Sequence, residues 1–123
     1  MGKELIQICV EVPKTLVKWL DEASNRTGFP VEYLVQRAIR EKLLDDVFEL
    51  VHGFAEKHSD ICDLWVFRSD EKTKICGHVF LEQLQLVEML VEKGVYKSIE
   101  HFIQTALLDN IAAELMHNFQ KSL

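Results

Sequence analysis

Proline and glycine are scarce, with two and five copies in 123 residues. That leaves no room for a flexible linker or a low-complexity segment. Cysteine is scarce as well. Cys9, Cys62 and Cys76 are an odd number without dense spacing, the usage expected of free thiols in a cytosolic protein. No apolar run approaches the ~20 residues of a membrane span, and the opening MGKELIQI has no signal-peptide shape. The expectation is a cytoplasmic protein with no membrane partner. Positive charge is the minority sign, 14 Lys and Arg against 20 Asp and Glu, for a net charge of -6 and a pI near 5.3. A broadly basic nucleic-acid coat is thereby excluded, though a small local basic face is not. There is no Gly-rich phosphate loop, no paired-carboxylate arrangement and no motif around a Ser or Cys nucleophile. Enzymatic chemistry and cofactors are not expected.

What is present is ordinary globular composition, 48% hydrophobic and 28% charged. The length suits one domain or two very small ones. In LIQICVEVPK, Leu5, Ile8, Val10 and Val12 fall largely on one alternation and Gln7, Cys9 and Glu11 on the other, the pattern of a half-buried strand. After Pro13 the period becomes helical through Leu16, Val17, Leu20 and Ala23. Gly28 and Pro30 interrupt it. A long second helix follows, through Leu34, Val35, Ala38, Ile39, Leu43, Val47, Leu50 and Val51, with no breaker before Gly53. CDLWVFR and KTKICGHVF are both strand-like, and SDEK between them is suited to a turn, so a hairpin is one reading of this region. LEQLQLVEMLVEKG is then helical. Ser98 is placed to cap a last helix whose stripe is Ile99, Phe102, Ile103, Ala106, Leu107 and Ile111.

The order strand, helix, helix thus occurs twice. ICVEV overlays ICGHV at an offset of about 67, and YLVQRAI overlays HFIQTAL at about 68. The slip falls in the inter-helix turns, where insertions are cheapest. Two matches in register are evidence of an internal repeat. Residues 1–52 and 73–123 would be the two motifs around one shared core, and residues 53–72 the connector.

ICVEVPKTLVKWLDEASNRTGFPVEYLVQRAIREKLLDD and KICGHVFLEQLQLVEMLVEKGVYKSIEHFIQTALLDNI resemble the ribbon-helix-helix (Arc/MetJ-type) family of small DNA-binding regulators. Together they cover about two thirds of the chain. The resemblance implies a mainly α fold with a short antiparallel β-ribbon. Such a ribbon normally forms between two chains. Here both copies lie in one chain, so residues 5–12 would pair with residues 73–79 as an intrachain pseudo-dimer, with an exchanged dimer of two chains as the alternative. A lone strand cannot satisfy its own backbone groups, which agrees with either arrangement. The connector, extended, spans roughly 60–70 Å, so reach is no obstacle.

The resemblance further implies a repressor that holds double-stranded DNA, of a kind typical of prokaryotes and their viruses. The ribbon would enter the major groove, and Gln7, Cys9, Glu11, Lys74, Cys76 and His78 would face base edges. Phosphates would sit at the starts of the second helices, near Phe29, Pro30 and Val31 in the first half and Lys97, Ser98 and Ile99 in the second. The pattern departs from the family at the two central cysteines and at Glu11, which repels phosphate. It departs also at Pro30, which has no N–H, so the second clamp reads as the intact one. With few phosphate contacts, one pseudo-dimer would bind weakly and assemble side by side as a homo-oligomer. Lys14, Arg37 and Arg40 are further phosphate candidates or plain helix-surface charges. His52, His58, His101 and His117 read as surface histidines, and Trp19, Trp65 and Phe67 as core. Two alternatives stay open. One is a protein-interaction module of the same fold that has lost DNA binding. The other is a metal- or thiol-responsive regulator, for which His58, Cys62, Cys76 and His78 offer a mixed thiolate–imidazole set.

Overall fold

A computed structural model describes residues 4–64 and 66–122, with side chains as far as Glu114. The readings of Trp65 and of the His117 side chain fall outside the described residues. Strand β1 (Leu5–Pro13) runs directly into helix α1 (Lys14–Thr27), and α2 (Val31–Val51) follows. The connector contains one 3-10 turn, Ile61–Asp63. Strand β2 (Lys72–Phe80) then runs directly into α3 (Leu81–Glu92), and α4 (Ile99–Ser122) follows. The chain is mainly helical, with a single two-stranded sheet among the described residues.

Local chemistry sets the boundaries. Pro13, at φ -57° and ψ 139°, ends β1 and stands as the N-cap of α1, a position where its missing N–H costs nothing. The Asp70 carboxylate accepts from the Thr15 N–H at 2.7 Å and caps the same helix from the connector. Gly28 ends α1 at φ 78°, its N–H donating to the Ser24 carbonyl. Only glycine enters that left-handed region without a steric penalty. Gly94, at φ 80°, takes the same role after α3.

The strands pair antiparallel with Cys9 directly opposite Cys76, flanked by Gln7–His78 and Ile8–Gly77 on one side and Val10–Ile75 and Glu11–Lys74 on the other. Period-two alternation sends Ile6, Ile8, Val10 and Val12 toward the helices and Gln7, Cys9 and Glu11 away from them. Leu5, grouped with the apolar set in the sequence, has the parity of Gln7, so it is exposed and Ile6 takes the inner place. Pairing continues past both strand ends: the Lys14 N–H donates to the Glu71 carbonyl at 2.8 Å and the Leu81 N–H to the Glu4 carbonyl at 3.0 Å.

Beneath the ribbon lies one apolar cluster drawing on all four helices. α2 buries Leu34, Val35, Ala38, Ile39 and Leu43, and α4 buries Phe102, Ile103, Ala106, Leu107 and Ile111, the same spacing on both. Every residue from 101 to 107 is buried, so this stretch of α4 is enclosed on all sides. A helix so enclosed loses the polar stripe of a surface helix. α2 packs closely on the ribbon: a Cβ added at Gly77 would stand 3.4 Å from Val35 Cγ1.

The hairpin that is one reading of the connector does not form among the described residues. Turns occupy the region instead, with the Phe67 N–H donating to the Leu64 carbonyl and the Asp70 N–H to the Phe67 carbonyl. Phe67 is buried and meets the Trp19 ring edge-on at 5.6 Å. β2 already has its strand partner in β1, and the Gln36 side chain donates to the His78 carbonyl on its other edge. Burial of Phe67 in the core prevailed over local strand propensity.

Candidate nucleic-acid interface

The outer face of the ribbon is a row of facing pairs: Leu5–Phe80, Gln7–His78, Cys9–Cys76 and Glu11–Lys74, with Lys72 beyond. All are exposed except His78, which is half-buried. All six side chains expected to face base edges therefore lie on one solvent-facing surface. Cys9 and Cys76 are joined as a disulfide with Cα atoms 4.0 Å apart, so the free-thiol expectation applies to Cys62 alone. His78 Nδ1 lies 2.9 Å from Glu32 Oε1, at the first turn of α2. Glu11 and Lys74 stand opposite one another, but no ion pair within 4.0 Å joins them among the described residues. The face is apolar at Leu5 and Phe80, covalent at its centre and basic toward Lys74 and Lys72.

The ribbon edges are tied to the second helices by paired contacts. Gln104 Nε2 donates to the Glu11 carbonyl at 2.8 Å, and Gln36 Nε2 donates to the His78 carbonyl at 3.2 Å. The Glu100 carboxylate accepts from the Glu11 N–H at 3.0 Å, while Glu32 meets the His78 ring. Each α2 contact on β2 thus has a counterpart from α4 on β1. The Glu11 N–H and the Glu11 and His78 carbonyls would otherwise be unpaired backbone on a two-stranded sheet.

The two expected phosphate positions differ. At the start of α2, Pro30 is the N-cap and no side chain caps the helix. The free donors of a helix start follow the N-cap, so the missing N–H of Pro30 removes none of them. Phe29 packs on Tyr33, ring centroids 4.8 Å apart, and the Arg37 guanidinium lies 5.9 Å from the Phe29 ring centroid. Arg37 is held away from solvent by Glu114 at 2.8 Å and Asn110 at 3.2 Å. At the start of α4, Ser98 Oγ accepts from the His101 N–H at 3.0 Å. His101 Nδ1 accepts from the Lys97 N–H, and its Nε2 lies 3.0 Å from the Ser59 carbonyl. The connector also borders this site: the His58 N–H donates to the Val95 carbonyl, and Asp60 lies 4.0 Å from Lys97 Nζ. Burial raises the Asp60 carboxyl, but the Cys62 N–H and the nearby His101 and Lys97 outweigh it and hold it below the usual range. No side chain caps the start of α2, whereas the start of α4 is bordered by the connector with Lys97 and Ser98 still exposed.

His101, read as a surface histidine, is only 3% exposed. Its ring is enclosed because it bonds on both sides within the connector–α4 junction. The four-residue thiolate–imidazole set is not assembled. Cys76 is bonded to Cys9, His78 faces Glu32, and Cys62 Sγ lies 3.8 Å from Gln104 Oε1. His58 instead meets Asp46 and Glu49, the three offering donor atoms within 4.8 Å of one another. Burial, then the Asp60 charge, pushes the Cys62 thiol up.

Sequence reasoning missed a buried polar cluster on the far side. Asp46 is 2% exposed and accepts from the Tyr96 hydroxyl at 2.5 Å. His58 stacks on Tyr96, ring centroids 4.7 Å apart, with its Nε2 3.6 Å from Asp46. Lys42 reaches Asp109 at 2.7 Å and Asp46 at 3.9 Å. Burial and the Asp46 carboxylate push the Tyr96 hydroxyl far above the tyrosine range. The signal was present, since Asp46 follows Leu43 by three in the apolar stripe of α2, where a carboxylate needs a buried partner. No helix among the described residues is long and apolar enough to cross a membrane. Compared with protein-family models, curated proteins and solved structures, the chain matches none of them.

Proposed function

We propose that the chain is a double-stranded DNA-binding regulator, a repressor without catalysis, built as two ribbon-helix-helix motifs in an intrachain pseudo-dimer. The observation that carries this reading is the two-stranded ribbon, one face sealed against helices and the other a solvent-facing row of side chains. A ribbon of two strands has the width that the B-DNA major groove admits. The reciprocal contacts support the pseudo-dimer: Gln104 to Glu11 and Gln36 to His78, Lys14 to Glu71 and Leu81 to Glu4. Each pair is interchanged when the two halves are exchanged. With both central cysteines in a disulfide, base reading falls to Gln7, Glu11, Lys74 and His78.

A second reading has its own observation. Leu44, Phe48 and Val51 are 66%, 60% and 75% exposed along one face of α2. Leu44 also lines a groove of about 190 Å³ with Arg40, Leu43, Val47, Gln83 and Leu86. An apolar face of this kind, on a chain of charge -6, suits a protein-interaction module.

Selection of bound duplexes from a random pool, followed by affinity measurements across salt, separates the two. With ~3–5 phosphates neutralised, log affinity should fall against log salt with a slope of about -3 to -5. Lys74→Ala and Gln7→Ala should change sequence preference, each by roughly 1–3 kcal/mol for a good bidentate contact. Lys97→Glu should weaken all sequences alike, because a phosphate contact carries no base information. Failure to retain any duplex at ~50 mM salt, where phosphate contacts are strong, sinks the DNA reading and leaves the interaction module.

A further inference from the structure

The centre of the ribbon holds more chemistry than a base-reading row requires. Cys9 and Cys76 come from strands on either side of the connector and meet with Cα atoms 4.0 Å apart. Two residues along β2 and on the same face, His78 presents its ring with Nδ1 2.9 Å from Glu32 Oε1. That carboxylate accepts the Nδ1 proton, which leaves Nε2 as the lone-pair nitrogen. Metal-bound histidines carry this same outer partner, a carboxylate that fixes tautomer and ring orientation. Strand neighbours directly opposite have Cβ atoms ~4.5–5.5 Å apart. Two thiolates bound at ~2.3 Å to one tetrahedral cation lie about 3.8 Å apart, within reach of such a pair once its S–S bond is open.

We propose that the ribbon centre is a redox-gated cation site, with Cys9 and Cys76 as thiolate ligands and His78 Nε2 as the imidazole ligand for Zn2+ or a similarly borderline-soft divalent ion. Glu32 is its positioning residue, and the fourth coordination position is open to solvent beside Gln7. The disulfide and the cation exclude one another. A dithiol opens the site by thiol–disulfide exchange: its two sulfurs close into a disulfide, and its two electrons and two protons pass to Cys9 and Cys76. The cation then displaces those two protons as it binds the thiolates. Nothing in this site depends on whether the ribbon holds DNA.

The test is cobalt titration of the full chain, first as the disulfide and then reduced with a trialkylphosphine, which takes up one oxygen from water as the two thiols form. The reduced chain should bind one Co2+ with a thiolate-to-cobalt charge-transfer band, displaced by Zn2+, and the disulfide form should show no such band. Cys9→Ser and Cys76→Ser should each abolish tight binding, and Cys62→Ser should leave it unchanged. Glu32→Gln should weaken cobalt binding ~10–100-fold, the usual cost of losing an outer-shell partner, while keeping the band. His78→Gln should weaken it by at least as much. That variant retains both cysteines, so it stays informative if the serine variants lose their helical circular dichroism. The proposal is overturned by absence of the band in the reduced chain, by a band that needs Cys62, or by unchanged affinity in His78→Gln.

Discussion

Asp46 shows how one side chain can be costly and well partnered at once. Burial raises its carboxyl above the aspartate range, and the Tyr96 hydroxyl, Lys42 and His58 offset this only in part. The folded protein therefore keeps the Asp46 proton to a higher pH than the unfolded chain does. Below the ordinary value of 3.8 both states are protonated and the group is neutral to stability. As pH rises through the folded value, ionisation favours the unfolded chain. Asp46→Asn keeps an oxygen for Tyr96 and removes the charge. It should be more stable than the parent at neutral pH, with the difference closing as pH falls below the aspartate range. Asp46→Ala should instead lose ~1–3 kcal/mol at neutral pH, because the Tyr96 hydroxyl is left unpaired in the core. Urea unfolding at several pH values checks both, and a gain for Asp46→Asn that is independent of pH would count against this account. Asp46 escaped the sequence reading because its neighbours Leu43, Val47 and Leu50 set the helical stripe, and nothing local names Tyr96, fifty positions on, as its partner.

Between elements, the second helices hold the ribbon by its edges. Gln104 is 3% exposed and donates to the Glu11 carbonyl, whereas Gln36 is half-buried where it donates to His78. Removing the buried donor leaves a carbonyl that water reaches poorly. Gln104→Ala should cost ~1–3 kcal/mol and Gln36→Ala clearly less, measured as shifts in the denaturant midpoint. Equal costs would mean that the two edges are equally wet. The strands, the four helices and their stops at Gly28 and Gly94 were legible because period and breaker residues act locally. Even the glutamines were visible, as one of the two shared letters of YLVQRAI and HFIQTAL, though their role was not. The connector was less legible. CDLWVFR has strand propensity, yet Phe67 found a core site beside Trp19 and β2 had no edge to spare. The contacts at the start of α4 were hidden for a related reason: His101, Ser59 and Asp60 meet there only through tertiary folding.

At the scale of the molecule, the disulfide links two residues 67 apart. Closing a loop of that length restricts the unfolded chain by about 4 kcal/mol in the chain-entropy account. The Cys9→Ser/Cys76→Ser double variant should lose up to ~4 kcal/mol and still unfold in one cooperative step, because a single apolar cluster draws on all four helices. Two separate calorimetric transitions would show that the halves fold independently. Removing residues 1–12 is the harsher change. It strips β2 of its strand partner and the core of Val12, and helical circular dichroism should be lost throughout, beyond the first half alone.

Cys9 and Cys76 also stand on opposite sides of the exposed stretch around Gly53 and Phe54. A protease that cuts there would turn one polypeptide into two without freeing either. The nicked molecule should run as a single band on a non-reducing gel and as two fragments once thiol is added. The same reasoning makes the connector a place to divide the gene: two separately expressed halves should find each other through the ribbon and be sealed by oxidation.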